Sequence, residues 1–139
     1  MTRPIGYERA DATFEALLVA LRDALGLTTT NQSFTTLEAV LVVFRRRLSP
    51  SQCLAFAAAL PPLLRALFLE GWHANEHVAG FPEGAALDAE IRGLRPEHNF
   101  APDGAAPIVA ATLRRELGDA VLERALAGLP AEAKAFWGG

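Results

Sequence analysis

Laid against itself with position 39 set on position 108, the chain aligns 39–68 with 108–137 without a gap, with eight identical pairs among thirty. The identities include Val40/Val109, Arg45/Arg114, Arg46/Arg115, Leu48/Leu117, Leu60/Leu129 and Pro61/Pro130. Phe44/Leu113, Arg65/Lys134 and Phe68/Trp137 add conservative pairs in the same register. Alanine-rich chains match themselves easily, but Arg-Arg-x-Leu followed in register by Leu-Pro is not an alanine effect. Two units, about residues 7–70 and 76–139, account for nearly all 139 residues. The fold must therefore be one that two copies of a short pattern build together.

Each unit reads as helices. Alanine and leucine far outnumber valine and isoleucine, a balance that favours helix over sheet. Asp11 is a natural N-cap for a first helix that places Phe14, Leu17, Leu18, Leu21 and Leu25 on one stripe, with Gly26 as its stop. Leu27–Ser33 reads as a loop, and Thr35-x-x-Glu38 has capping-box spacing for a second helix carrying Leu37, Val40, Leu41, Phe44 and Leu48. Ser49-Pro50 opens a third helix that runs to Leu60. Pro61-Pro62 stops it and opens a fourth. In the second unit Leu87, Ile91 and Leu94 echo the first helix, although Glu90 stands where Leu21 would. Arg95–Pro107 reads as a loop. Ile108–Leu117, Val121–Leu129 and Pro130–Trp137 then repeat the second to fourth helices. Short amphipathic helices are marginal alone. The expected fold is all-α: one compact helical bundle whose two units share a core, with Phe44, Leu48, Leu60, Leu113, Leu117 and Leu129 buried.

Composition excludes several classes. A net charge of −3 does not supply the broad basic face that duplex nucleic acid requires, so no nucleic-acid partner is expected. One cysteine rules out a disulfide framework and a cysteine zinc site. Cys53 aligns with Leu122, a core-type position, and reads as a buried, inert thiol. Charges at Arg3, Glu8, Asp11 and Glu15 interrupt any signal-peptide core. The longest uncharged run, between Arg47 and Arg65, is too short and too rich in proline to span a membrane. A cytoplasmic location follows as the expectation. Twelve arginines against one lysine suggest a GC-rich bacterial coding sequence.

In order and spacing, Val40-x4-Arg45-Arg46-x-Leu48-Ser49, Leu60-Pro61-x3-Arg65 and Glu70-Gly71-Trp72 form one pattern. Arg114-Arg115-x-Leu117-Gly118 and Leu129-Pro130 form its second copy. Through these residues, and over essentially its full length, the chain resembles the DUF2267 family of small bacterial and archaeal proteins. The resemblance implies an all-helical, two-repeat domain and brings with it neither an activity nor catalytic residues. The Ala74–Pro82 linker departs from the pattern.

Two constellations have chemical potential. His73-Ala74-Asn75-Glu76-His77 matches H-x-x-E-H, the inverted zinc-peptidase signature. In that chemistry both histidines share one helical face and bind zinc, Glu76 activates the bound water, and a third ligand comes from elsewhere. Glu83, Glu90, Glu97 and His98 are the candidates. The segment sits between Gly71 and Gly80-Phe81-Pro82, which points instead to a solvated linker, so no cofactor is expected. Arg45-Arg46 and Arg114-Arg115 are the polar feature shared by both units. They read first as cations at helix C-termini, and alternatively as a symmetric surface that grips an anion or a partner through guanidinium forks. Glu116, standing where Arg47 would, spoils the symmetry. Trp72, Phe81 and Phe100 fall in linkers, where they pin a loop to the core or mark a docking patch. The function expected is a non-enzymatic module that binds another protein or itself. The alternatives are a small zinc-dependent hydrolase built on His73, Glu76 and His77, or an anion-responsive regulator built on the paired arginines.

Overall fold

The computed structural model describes residues 3–138, which form nine α-helices and no strand. They are α1 (Ile5–Glu8), α2 (Ala10–Ala24), α3 (Thr30–Arg45), α4 (Pro50–Ala58), α5 (Pro62–Leu69), α6 (Gly84–Arg92), α7 (Ala105–Leu117), α8 (Asp119–Leu126) and α9 (Ala131–Phe136). Capping boxes or prolines mark the starts of α1, α3, α4, α5 and α9. None of these helices is long and apolar enough to cross a membrane. Under the register that sets position 39 on position 108, the first residues of α4 and α5 fall on the first residues of α8 and α9.

Several boundaries differ from the sequence reading: α7 starts at Ala105, inside the expected Arg95–Pro107 loop, and α8 covers Asp119–Leu126 rather than Val121–Leu129. Asp11 lies in the first turn of α2 rather than at its cap, where a carboxylate still meets the positive helix end, and the short α1 precedes it. The capping box of α3 is Thr29-x-x-Gln32, six residues before the expected pair. Gln32 N–H donates to Thr29 Oγ1 at 3.2 Å, and Gln32 Oε1 accepts from the N–H groups of Thr29 and Thr28. The polar run resembles a loop because its side chains are hydrophilic. Ser33 turns inward all the same, donating to Leu18 O at 2.7 Å, and Thr35 Oγ1 donates to Asn31 O one turn back. A buried hydroxyl with a partner costs little. Finally, α4 ends at Ala58, and Leu60 is buried just beyond it. The Ser49-Pro50 start is as expected, with Gln52 closing a second capping box.

One hydrophobic cluster runs through the molecule and draws on both halves of the sequence. Helix α2 packs against α3, α5 and α7, while α3 also meets α5, α6 and α7, and α4 meets α8. The centre is aromatic. Phe44 of α3 lies 4.9 Å from Phe56, 5.0 Å from Phe136 and 5.3 Å from Trp137, and Phe56 lies 4.8 Å from Phe68. These separations fall in the range where tilted and edge-on ring pairs add to simple burial.

Phe44, Leu48, Leu60, Leu113 and Leu129 are buried as the periodicity requires. Leu117 is not: it is half-buried, because it ends α7 at Gly118 and borders an open groove. We therefore expect Leu113→Ala to cost about 2–5 kcal/mol, the range for large-to-small changes in packed interiors. Leu117→Ala should cost clearly less. Denaturant unfolding of the two variants measures the difference.

Candidate functional site

The C-terminal end of α3 presents three consecutive arginines, and each is committed differently. Arg45 is 6% exposed. Its Nη1 donates to the carbonyls of Phe68 at 2.9 Å and Glu70 at 3.0 Å, closing the C-terminal end of α5. That end offers unpaired carbonyls and partial negative charge, so a guanidinium suits it. The Nε of Arg45 is buried with no protein acceptor. Burial pulls its pKa below the ordinary arginine value. Arg114 Nη2 approaches Trp137 O at 3.4 Å. In the repeat register Arg114 is the counterpart of Arg45, and Trp137 that of Phe68.

Arg46 pairs with Glu90 at 3.2 Å, and its carbonyl accepts the N–H of Ala79. The third arginine, Arg47, has a side chain only 5% exposed. Its Nη1 and Nη2 reach Glu90 Oε2 and Oε1, both at 2.5 Å, in a two-pronged fork. Nε donates to Gly80 O, and Nη1 also to Val43 O. The hydrogen bond from Arg47, seconded by Arg46, holds the Glu90 carboxyl below its usual range, against the upward push of burial. Glu90 sits on α6. The fork therefore joins α3, the 71–82 linker and α6.

Arg47 does not stand among the candidate residues of the sequence, and Glu90 does so only as a third zinc ligand. A signal existed, since both occupy positions where the repeat fails: Glu90 replaces leucine, and Glu116 replaces the arginine. What sequence could not show is that a residue at one departure pairs with a residue at the other. Of the four arginines in the two pairs, Arg115 is the exposed one, 3.6 Å from Glu116.

His73, Glu76 and His77 are exposed and lie outside any helix. The i, i+4 spacing aligns two imidazoles only on a helix, and here the chain instead makes a turn. Glu76 N–H donates to His73 O at 3.1 Å, and His73 N–H approaches Glu76 Oε1 at 3.4 Å. Glu90 is held by arginines instead. Among the described residues no three His, Cys, Asp or Glu side chains converge as a metal shell. The structure does bring the histidine segment against Arg45 and Arg46, around a cavity of about 10 Å³, the space of a single water.

Cys53 is buried, its Sγ 3.7 Å from Arg45 O, and burial pushes its thiol up to about 11. It is a poor nucleophile at neutral pH. Trp72 and Phe81 pack against the core, whereas Phe100 is 58% exposed.

The family model described as "Uncharacterized conserved protein (DUF2267)" matches residues 14–136. The chain belongs to the DUF2267 family. In this DUF2267 protein the match begins within α2 and ends at the last residue of α9, so it contains the arginine turn, the linker and Glu90. No curated protein matches the chain.

The Arg47–Glu90 fork has a pH consequence. The pKa of Glu90 is depressed on folding, so its stabilisation is complete above the ordinary value of 4.5 and is lost as pH falls through the lowered folded value. Glu90→Gln should flatten the acid limb of stability below pH 4.5. At neutral pH the same change should cost on the order of 3 kcal/mol, because it leaves the buried Arg47 charge unpaired. Urea unfolding across the acid range tests both.

Proposed function

We propose that the protein is a non-enzymatic helical module, built from two tandem units, that acts by binding another protein or a second copy of itself. The two-unit reading is supported by the shared register of the helix starts, and by the paired Arg45–Phe68 and Arg114–Trp137 contacts. A free, buried cysteine suits a reducing compartment, in keeping with a cytoplasmic role. The net charge of −3 argues against a nucleic-acid partner.

One observation carries the binding reading. An apolar groove of about 260 Å³ opens between the α1–α2 segment, the start of α5 and the α7–α8 corner. Phe14, Leu64, Leu117 and Val121 line it, with Glu116 as its charged member. Leu63 on the same wall is 37% exposed, and Ile5 and Tyr7, either side of the lining residue Gly6, are 63% and 54% exposed. Contiguous exposed apolar side chains of this kind mark interaction surfaces in folded proteins. Arg115, beside Glu116, adds a cation close to the rim.

Light scattering on the purified protein over a range of concentrations reports self-association, and affinity capture from the source cell reports a partner. We expect one of these complexes to form, and Leu63→Glu with Val121→Glu to abolish it while the helical circular dichroism stays unchanged. A protein that stays monomeric and retains no partner would refute the reading, as would a complex indifferent to both substitutions.

A further inference from the structure

A second groove, on another part of the surface, lies between the first turns of α3 and the loop that follows α6. Its volume is about 330 Å³, within the range of small-molecule sites. One wall carries Asn31, Phe34 and Thr35, and the other carries Arg95, His98 and Phe100.

Three features set it apart from an ordinary surface dip. Arg95 is the one non-glycine among the described residues with a positive φ, +52°. Its counterpart in the repeat register is Gly26, also left-handed at +68°. The turn demands that conformation, which glycine adopts freely and a residue with a Cβ adopts at a cost. Strain of this sort gathers at sites where a particular side chain is needed.

The guanidinium is also underused. Its ion pair with Glu38 spans 3.9 Å, beyond hydrogen-bonding distance, so the donor fork remains open to an acceptor in the groove. The groove also adjoins the N-terminal end of the 16-residue α3, where the helix dipole favours negative charge. The third feature is aromatic. Phe100 projects into solvent, unlike Trp72 and Phe81, which pack on the core. Phe34 across the groove is fixed edge-on against Phe14 at 6.2 Å.

We propose that this groove binds a small aromatic acid, its carboxylate held by the Arg95 fork and its ring between Phe34 and Phe100. A guanidinium matches a carboxylate in two parallel hydrogen bonds, and rings pair well in offset or edge-on contact. The Asn31 amide and the His98 imidazole stand ready for a polar ring substituent. This site is separate from the apolar groove between α1–α2, α5 and α7–α8, and its success or failure is independent of that groove's role.

The test is a titration of isotope-labelled protein with 2-naphthoate, followed by backbone amide shifts, with cyclohexanecarboxylate, 2-naphthylmethanol and inorganic phosphate as controls. The expected result is saturable movement, at millimolar ligand, confined to the amides of residues 30–35 and 94–101. The controls should bind more weakly or not at all. Arg95→Gly should abolish the saturable response while leaving the thermal midpoint unchanged or higher, because glycine relieves the left-handed turn. Phe100→Ala, at an exposed position, should weaken binding about tenfold, the equivalent of one lost ring contact. No saturable response to naphthoate would overturn the proposal. So would an equal response to cyclohexanecarboxylate or phosphate, or undiminished binding in a folded Arg95→Gly protein.

Discussion

Three consecutive arginines at the end of α3 tie α5, the 71–82 linker and α6 to one another. Arg45 caps α5 through the Phe68 and Glu70 carbonyls. Arg46 accepts the linker at Ala79 through its own carbonyl, and Arg47 grips Gly80 and forks onto Glu90 of α6. The position of α3 in the middle of the bundle makes this arrangement possible. A helix already buried on most faces ends at the place where the first half of the chain hands over to the second. Its C-terminal carbonyls favour cations, and each cation finds a partner that would otherwise lie buried and unpaired or loosely solvated.

Helix content, the starts of α4 and α5 and the stop of α2 were legible in the sequence because they depend on local chemistry: a serine before proline, paired prolines after leucine, glycine after an apolar stripe. The polar run Thr28–Ser33 misleads for a physical reason. Two capping-box spacings lie close together there, and the choice between Thr29/Gln32 and Thr35/Glu38 depends on whether Ser33 can be buried. The Leu18 carbonyl on α2 settles that, and it belongs to a different helix. Leu117 departs in the opposite direction. Its counterpart Leu48 is covered, but α7 ends at Gly118, with φ +93°, where the first half has Ser49. The corner there leaves Leu117 on the rim of a groove.

The candidate arginines illustrate how far a motif reaches. Arg45 and Arg114 were recognisable as a pair because they coincide when the chain is aligned with itself; that both approach the end of a later helix is visible only in the structure. The sequence offered them as cations at the C-terminus of their own helix, whereas Arg45 donates to the end of a different one, α5. The residues that tie the linker down, Arg47 and Glu90, were visible only as exceptions to the repeat. A mismatch in the self-alignment has no local meaning until its partner is known, and here the partners lie far apart in the chain. Gly26 and Arg95 show the same logic at the backbone. Only the φ angles reveal that both aligned positions are left-handed, one with the residue that conformation prefers and one with a costly substitute.

A buried or half-buried ion pair is weak evidence for stability in itself, since desolvation offsets much of the attraction and a hydrophobic replacement often does as well. The Arg47–Glu90 fork is better understood as a constraint on alternatives. Helix α6 is short, and Ile91 is its one fully buried residue, so apolar contact alone would tolerate rotation or sliding of α6 against α3. A bidentate fork does not: rotating α6 by one residue, or moving the linker off Gly80, would strand a guanidinium that is almost wholly buried. The same anchoring holds the last turn of α6, shortly before the left-handed turn at Arg95. Asn99 in turn ties the following loop to the end of α6, its Nδ2 donating to the Ile91 and Leu94 carbonyls, so the fork and this amide together connect α3 to the groove beside Phe100.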